Sequence, residues 1–439
     1  MTRIDHSSIE YKFLQLGCEV EHLTIIVIFI GIMAFSLISG RLNNSIFTVP
    51  LVFVVFGFAL SFGDTTASGF ALDHPAIHTL FEITLILILF SDASRIDLRQ
   101  LKRDHNLPVR MLVVGLPLTI VGGMLIGKLI FPEFKFWELL LLAAILSPTD
   151  AALGQSVVSD PAVPVRIRQS LNVESGLNDG IALPAVLIFA ALANTSSHAV
   201  ERSAIDWLIF GGLQVTLGPL IGLLIGYVGA RLIDKAASAE WMTEAFEGMG
   251  ILALAAISFL LAEAAGGNGF ISAFVAGLVF GNTVRHKCGF LFEFMETEGQ
   301  LLTLITFLIF GLVMLPIAIT GFDASIALYA ILSLTVIRVV PVALSLIGSK
   351  VNWPTTLFLG WFGPRGIASI LFVLLILEET TTDNANTILV VTITAVSMSV
   401  LLHGISAAPL AKLYGQSVEK MGECEEVKSV SEMPLRHGN

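Results

Sequence analysis

Long apolar runs, separated by short polar stretches, follow one another along this chain from residue 23 to residue 411. Runs of about 17–25 residues match the hydrocarbon thickness of a bilayer at the rise of an α-helix. Thirteen spans are predicted. The first three lie near 23–40, 45–62 and 75–92, and the next four near 111–127, 137–158, 169–194 and 206–230. Three more lie near 246–265, 268–283 and 297–320, and the last three near 324–347, 354–378 and 386–411. The ninth is short and rich in glycine. Residues 1–22 and 412–439 are polar tails. A membrane barrel would instead show short alternating strands with a polar lumen face. The pattern therefore predicts an all-α polytopic membrane protein.

The basic residues give an independent reading of the count. Seventeen of the 24 lysines and arginines fall in the C-terminal tail or in loops after odd-numbered spans, five fall on the other side, and two lie inside spans. Basic residues gather on the cytoplasmic side, so the N-terminus is expected outside and the C-terminus in the cytoplasm, in a bacterial inner (plasma) membrane. The segment before the first span is net acidic, unlike a signal peptide, and that span is read as retained.

Composition agrees. The chain is 55% hydrophobic and 13% charged, about half the charged share of a soluble domain. The net charge of −11 marks no nucleic-acid partner. Cys18, Cys288 and Cys424 show neither disulfide nor metal-ligand spacing. The C-terminal tail, with Glu423, Glu425 and Glu426 among lysines, is expected to be solvated and partly disordered. It is too short for a sensing domain, so regulation is expected within the membrane part.

Ionisable residues deep in a membrane default to function. Four lie near the middle of their spans: Asp150, Asp179, Arg338 and Arg365. Span five reads Ser147-Pro148-Thr149-Asp150 and span twelve reads Gly363-Pro364-Arg365-Gly366, so each is interrupted at mid-depth. Broken helices in corresponding halves point to a transporter's ion site. The offset of seven spans reverses direction across the membrane. It therefore predicts an inverted repeat of about 23–194 and about 246–411 around a linker span at about 206–230. Span six carries Glu174-Ser175-Gly176-Leu177-Asn178-Asp179-Gly180. Residues four apart share a helix face, which pairs Ser175 with Asp179 and Glu174 with Asn178.

On Thr149-Asp150, the Glu174-to-Gly180 motif, Arg338 and Gly363-Pro364-Arg365-Gly366, the chain resembles the NhaP-type branch of the cation/proton antiporters, which is related to animal sodium/proton exchangers. The resemblance covers nearly the whole membrane part. It implies that Asp179 is the main cation- and proton-binding carboxylate, with Asp150, Ser175 and Thr149 helping. It also implies that Thr149 ties to Asn178, that Glu174 pairs with Arg338, and that Arg365 offsets the helix dipoles at the span-twelve break. Glu82 in span three is a further candidate oxygen. A homodimer with interleaved dimerisation and core subdomains, and electroneutral 1:1 exchange in cation and pH homeostasis, also follow from it. Asn178 stands where electrogenic relatives carry a second aspartate. The chain departs from the family in Ala151-Ala152, where Pro-Val is usual.

No enzyme activity and no resident cofactor are expected; Na⁺, with Li⁺ or K⁺ as alternatives, and H⁺ are cargo. His105, His286 and His403 are candidate pH sensors. Two other designs use the same ingredients. A sodium-coupled symporter of an organic anion shares the crossed helices. An intramembrane aspartyl protease also needs two membrane aspartates, but its Gly-x-Gly-Asp motif does not occur. A channel would carry a selectivity-filter repeat, and none is present.

Overall fold

The computed structural model describes residues 26–40, 48–62, 75–103, 106–150, 153–158, 160–194, 204–285, 301–379, 383–421 and 424–427. Among these the regular structure is entirely helical. The first half contains α1 (Ile26–Gly40), α2 (Val49–Leu60), α3 (Pro75–Ser94), α4 (Leu98–Arg103), α5 (Asn106–Ile130), α6 (Phe136–Ile145), α7 (Gln155–Val158) and α8 (Val165–Ala193). The second contains α9 (Ala204–Ser238), α10 (Glu244–Ala264), α11 (Gly269–Thr283), α12 (Leu301–Gly321), α13 (Ala324–Ser345), α14 (Trp353–Trp361), α15 (Ile367–Glu379) and α16 (Ala385–Met421).

Helix lies in every segment that hydropathy marks. Seven of the described helices are long and apolar enough to cross a membrane alone, and the shorter apolar ones include α6, α11 and Ile367–Ile376 of α15. Two of the short ones are short for a reason visible in sequence. The fifth span ends its helix at Ile145 and is non-helical from Leu146 through Pro148 to Asp150, and α7 begins at Gln155. The twelfth stops at Trp361 and resumes at Ile367. Helix starts are marked by side chains that accept a first-turn N–H: Asn268 from Ile271 at 2.9 Å and Asp323 from Ile326 at 2.9 Å. Pro117 and Pro316 lie just past wide π-turns, Met111–Gly115 in α5 and Phe310–Met314 in α12. A proline lacks the N–H that would continue a regular helical ladder there.

The apolar side chains form one large core and a smaller one at the basic-loop end, where Phe358, Leu359, Tyr414 and Val418 meet the start of α8. A broad rim of exposed Leu, Ile, Val and Phe surrounds them. In water such a rim would aggregate; against acyl chains it is the expected surface.

The tail corrects the expectation of a solvated segment, as far as it is described. Helix α16 runs 37 residues to Met421, about 55 Å against a hydrocarbon core of about 30 Å. The chain then turns back through Glu425–Val427. Glu426 is fully buried, accepting from the backbone N–H of Asn352 at 2.7 Å and the hydroxyl of Thr355 at 2.9 Å. Arg166, at the start of α8, pairs with Glu425 at 3.0 Å. The physical reason is the open N-terminus of α14, where Asn352 provides no side-chain cap and the amide donors need a partner. Burial alone would raise the Glu426 carboxyl, but the Asn352 and Thr355 donors hold it below the usual range. Glu423 lies outside the described residues.

Candidate functional site

The two chain breaks are bonded to each other. The Asp150 N–H donates to Pro364 O at 2.8 Å, and the Ile367 N–H donates to the Asp150 carboxylate at 3.0 Å. Ile367 is the first residue of α15, so Asp150 sits at the positive end of a half-helix, where an anion is favoured. Arg365 does the converse. Its Nη1 donates to Ser147 O at 3.1 Å and Pro148 O at 3.2 Å, just past the end of α6, and its Nη2 to Ser333 O at 3.2 Å near the bend of α13. These carbonyls have lost helical partners, and a fixed cation satisfies them. Each broken helix therefore meets a charge of the sign its end attracts.

Helix α8 brings the second set. Thr149 Oγ1 lies 2.9 Å from Ser175 Oγ and accepts from Asn178 Nδ2 at 2.6 Å. Asn178 also donates to Glu174 at 3.5 Å, and Arg338 Nη2 donates to Glu174 Oε2 at 2.8 Å. Glu174 and Arg338 are each 1% exposed, whereas Asp179 keeps 8%. Asp179 shares the helix face of Ser175. Thus Thr149, one residue before Asp150, is bonded to Ser175 and Asn178, in the turn of α8 that leads into Asp179. The helix tolerates Glu174, Ser175 and Asn178 here because their partners come from the break and from α13.

Gly363 and Gly366 carry a steric requirement. A Cβ on Gly366 would collide with the Asp150 carboxylate, and one on Gly363 would lie 2.5 Å from Arg338 Nε. The two glycines leave room for the two charges.

A model of the sodium/hydrogen exchanger transmembrane family matches residues 23–413. The chain belongs to this family. An NhaP K⁺/H⁺ antiporter of Alkalimonas amylolytica is 25% identical over 414 residues, covering 92% of this chain and 68% of that protein. A Na⁺/H⁺ antiporter of Aphanothece halophytica is 26% identical over 367 residues, covering 80% of this chain and 66% of that protein. The chain thus spans about two thirds of the length of these relatives. The solved sodium proton antiporter of Methanocaldococcus jannaschii has the same fold, with a TM-score of 0.72 at 21% identity, over 90% of this chain and 100% of that chain.

In this exchanger-family chain the structure brings seven of the sequence-derived candidates together, Thr149, Asp150, Glu174, Ser175, Asn178, Arg338 and Arg365, and Asp179 follows Asn178 on α8. Glu82 stands outside this buried group. The inward face of α3 is set by Phe81, Thr84 and Leu85, which leaves Glu82 exposed. Ala151, Ala152, His105 and His286 lie outside the described residues.

Of three further contributors, Ser399 and Ser369 carry no signal in sequence, and His403 is marked there only as a candidate pH sensor. Ser399 on α16 accepts the Arg365 backbone N–H at 2.7 Å. His403, one turn on, is buried, and both ring nitrogens face carbonyls, Nε2 that of Trp361 at 2.9 Å and Nδ1 that of Ser399 at 3.0 Å. A neutral ring donates to one of the two, and a carbonyl only accepts. A third, Ser369 on α15, donates to Ile145 O at 2.7 Å and closes the end of α6. Serines are common in apolar helices. Only the proximity of the breaks sets these apart.

Proposed function

We propose that this chain is a secondary antiporter that exchanges Na⁺, with Li⁺ or K⁺ as alternative cargo, for H⁺ by alternating access. The observation that carries the reading is the charge composition of the buried neighbourhood. Three carboxylates, of Asp150, Glu174 and Asp179, face two guanidiniums, of Arg338 and Arg365. Glu174 is matched by Arg338, and Arg365 together with the start of α15 offsets Asp150. Carboxylates outnumber guanidiniums by one in this group, and we assign the exchanging role to Asp179. A carboxylate held away from water is costly in its charged form. One proton or one monovalent cation neutralises it, and both together overshoot.

Exchange at electroneutral 1:1 stoichiometry follows. A hard monovalent cation is held by oxygens, which Asp179, Asp150, Ser175 and Thr149 supply. Asn178 orders Thr149 without adding charge, so a second proton is not called for. We read 23–194 and 246–411 as inverted halves around the 206–230 span, each giving one broken helix to a moving core. The protein is a homodimer in the inner membrane, N-terminus outside and C-terminus in the cytoplasm, serving cation and pH homeostasis. The relatives named as K⁺/H⁺ and Na⁺/H⁺ antiporters support the cargo class.

Proteoliposomes with an acid interior and a pH-sensitive dye test this. Added Na⁺ should dissipate the gradient with no organic solute present, and clamping the membrane potential should not change the rate. A requirement for an organic anion would move the assignment to a symporter. Silence towards Na⁺, Li⁺ and K⁺ across a pH series would end it.

Gly366→Ala gives a sharper local check. The added methyl must displace the Asp150 carboxylate from the Ile367 N–H. Overpacking and one lost hydrogen bond together cost roughly 1–3 kcal/mol. The Na⁺ concentration for half-maximal exchange should rise on the order of tenfold. An unchanged value in a folded variant would remove Asp150 from the cation site.

A further inference from the structure

The break in span twelve is held by a helix that supplies none of the charges of the site. Helix α16 places Ser399, His403 and Ser406 against the connector between α14 and α15, and their spacing of four and then three residues stacks them on one face. Ser406 Oγ accepts from the Trp361 indole N–H at 3.0 Å, and the His403 ring lies 4.9 Å from the Trp361 ring. Ser399 Oγ accepts the Arg365 N–H at 2.7 Å. The connector is thus bonded to α16 at both of its ends. Between them lies Pro364 O, which accepts the Asp150 N–H at 2.8 Å, and just beyond them the Ile367 N–H holds the Asp150 carboxylate at 3.0 Å.

The position of one proton decides what His403 adds. Its Nε2 lies 2.9 Å from Trp361 O, and its Nδ1 lies 3.0 Å from Ser399 O and 3.2 Å from Ser399 Oγ. With the ring proton on Nδ1, a bare Nε2 would face the lone pairs of Trp361 O with no donor between them. With the proton on Nε2, Trp361 O receives a bond, and the Ser399 hydroxyl donates to Nδ1 while its oxygen takes the Arg365 N–H. Ser399 O lies within α16 and has the helical ladder N–H for a partner. The second arrangement therefore puts a donor at each step from Arg365 through Ser399 and His403 to Trp361, and such chains of hydrogen bonds reinforce one another.

We propose that His403 is a positioning residue for exchange, a role that rests on Asp150 serving the transported cation. Carrying its proton on Nε2, it holds the end of α14 and, through Ser399, the connector, so that Pro364 O and the Ile367 N–H keep Asp150 in place.

Glutamine and asparagine at position 403 separate the two carbonyls. The glutamine amide extends about as far as Nε2 and donates to Trp361 O, whereas the asparagine amide extends only as far as Nδ1 and meets Ser399. The purified full chain is used in two assays: Na⁺-driven proton movement in proteoliposomes, normalised to folded protein, and backbone deuterium uptake over residues 361–367 in detergent. His403→Asn should raise the Na⁺ concentration for half-maximal exchange about fivefold, with a smaller change in maximal rate, and should speed deuterium uptake. His403→Gln should return both most of the way to wild type. Ser399→Ala, which removes the Arg365 acceptor and little volume, should shift both in the same direction as asparagine.

Equal behaviour of the glutamine and asparagine variants overturns the proposal, whether both resemble wild type or both are impaired. Faster uptake with an unchanged half-maximal concentration would leave His403 a purely structural residue and overturn it as well. Should the asparagine variant not fold, Ser399→Ala decides, and wild-type values in both assays overturn the proposal. A wild type silent in the flux assay would end the antiporter reading and this role with it. Failure of the positioning role alone shows instead as an active wild type whose variants do not differ.

Discussion

Asp179→Asn in proteoliposomes is expected to reduce Na⁺-driven proton movement to the level of empty liposomes, while the protein stays folded. The substitution keeps the shape of the side chain and removes its charge. The neighbourhood then holds two carboxylates and two guanidiniums and is neutral without any ligand. Neither a proton nor a cation gains by entering, so there is nothing to exchange. The same balance predicts the stability outcome. Removing a negative charge from a site only 8% exposed should leave the melting temperature unchanged or raised. Asp179→Glu, which keeps the charge on a longer stem, should retain measurable exchange. Full activity of the asparagine variant would sink the assignment. A collapse in its stability would show that Asp179 is held for structure.

The second large effect is structural. Arg338→Ala should give little folded protein, because it leaves Glu174 charged, buried and without its cation. Breaking a buried pair from one side costs about 3–5 kcal/mol, a large part of a total stability of about 5–15 kcal/mol. The geometry sharpens this. Nη2 of Arg338 reaches Glu174 at 2.8 Å, while Nε and Nη1 find no hydrogen-bond acceptor among the described residues. Glu174 is therefore its anchor. Replacing both, with Arg338→Met and Glu174→Gln, should recover folded protein, since a neutral pair of similar volume leaves no stranded charge. Recovery would be read as a monodisperse peak and a cooperative melt. A well-folded Arg338→Ala single variant would contradict the pairing, and failure of the double variant would show that the arginine does more than neutralise Glu174.

Both effects depend on residues that hydropathy alone picks out. A charge inside an apolar run has to be buried, paired or functional, and that logic found Asp150, Asp179, Arg338 and Arg365 without coordinates. Helical spacing placed Ser175 with Asp179 and Glu174 with Asn178, because residues four apart meet on any helix. The prolines and glycines at 148 and 363–366 marked the breaks for an equally local reason: backbone torsion and a missing N–H act within a few residues.

Other features were beyond that reach. Glu82 looked like a candidate because it is a carboxylate in a span, yet the face of α3 that turns inward is the one with Phe81, Thr84 and Leu85. Glu425 and Glu426 looked like solvated tail residues until Arg166 and the open start of α14 came within reach. Ser399 and His403 are ordinary residues of an apolar helix until Arg365 and Trp361 are laid beside them.

By itself, then, the sequence determined the helical membrane class, the positions of the spans and breaks, and the list of buried charges, since each follows from solvation and torsion within one segment. Which charge meets which carbonyl and why residue 366 has no room for a methyl were decided only by the tertiary structure. Those contacts join segments up to 218 residues apart, and no period along a single helix encodes such a distance.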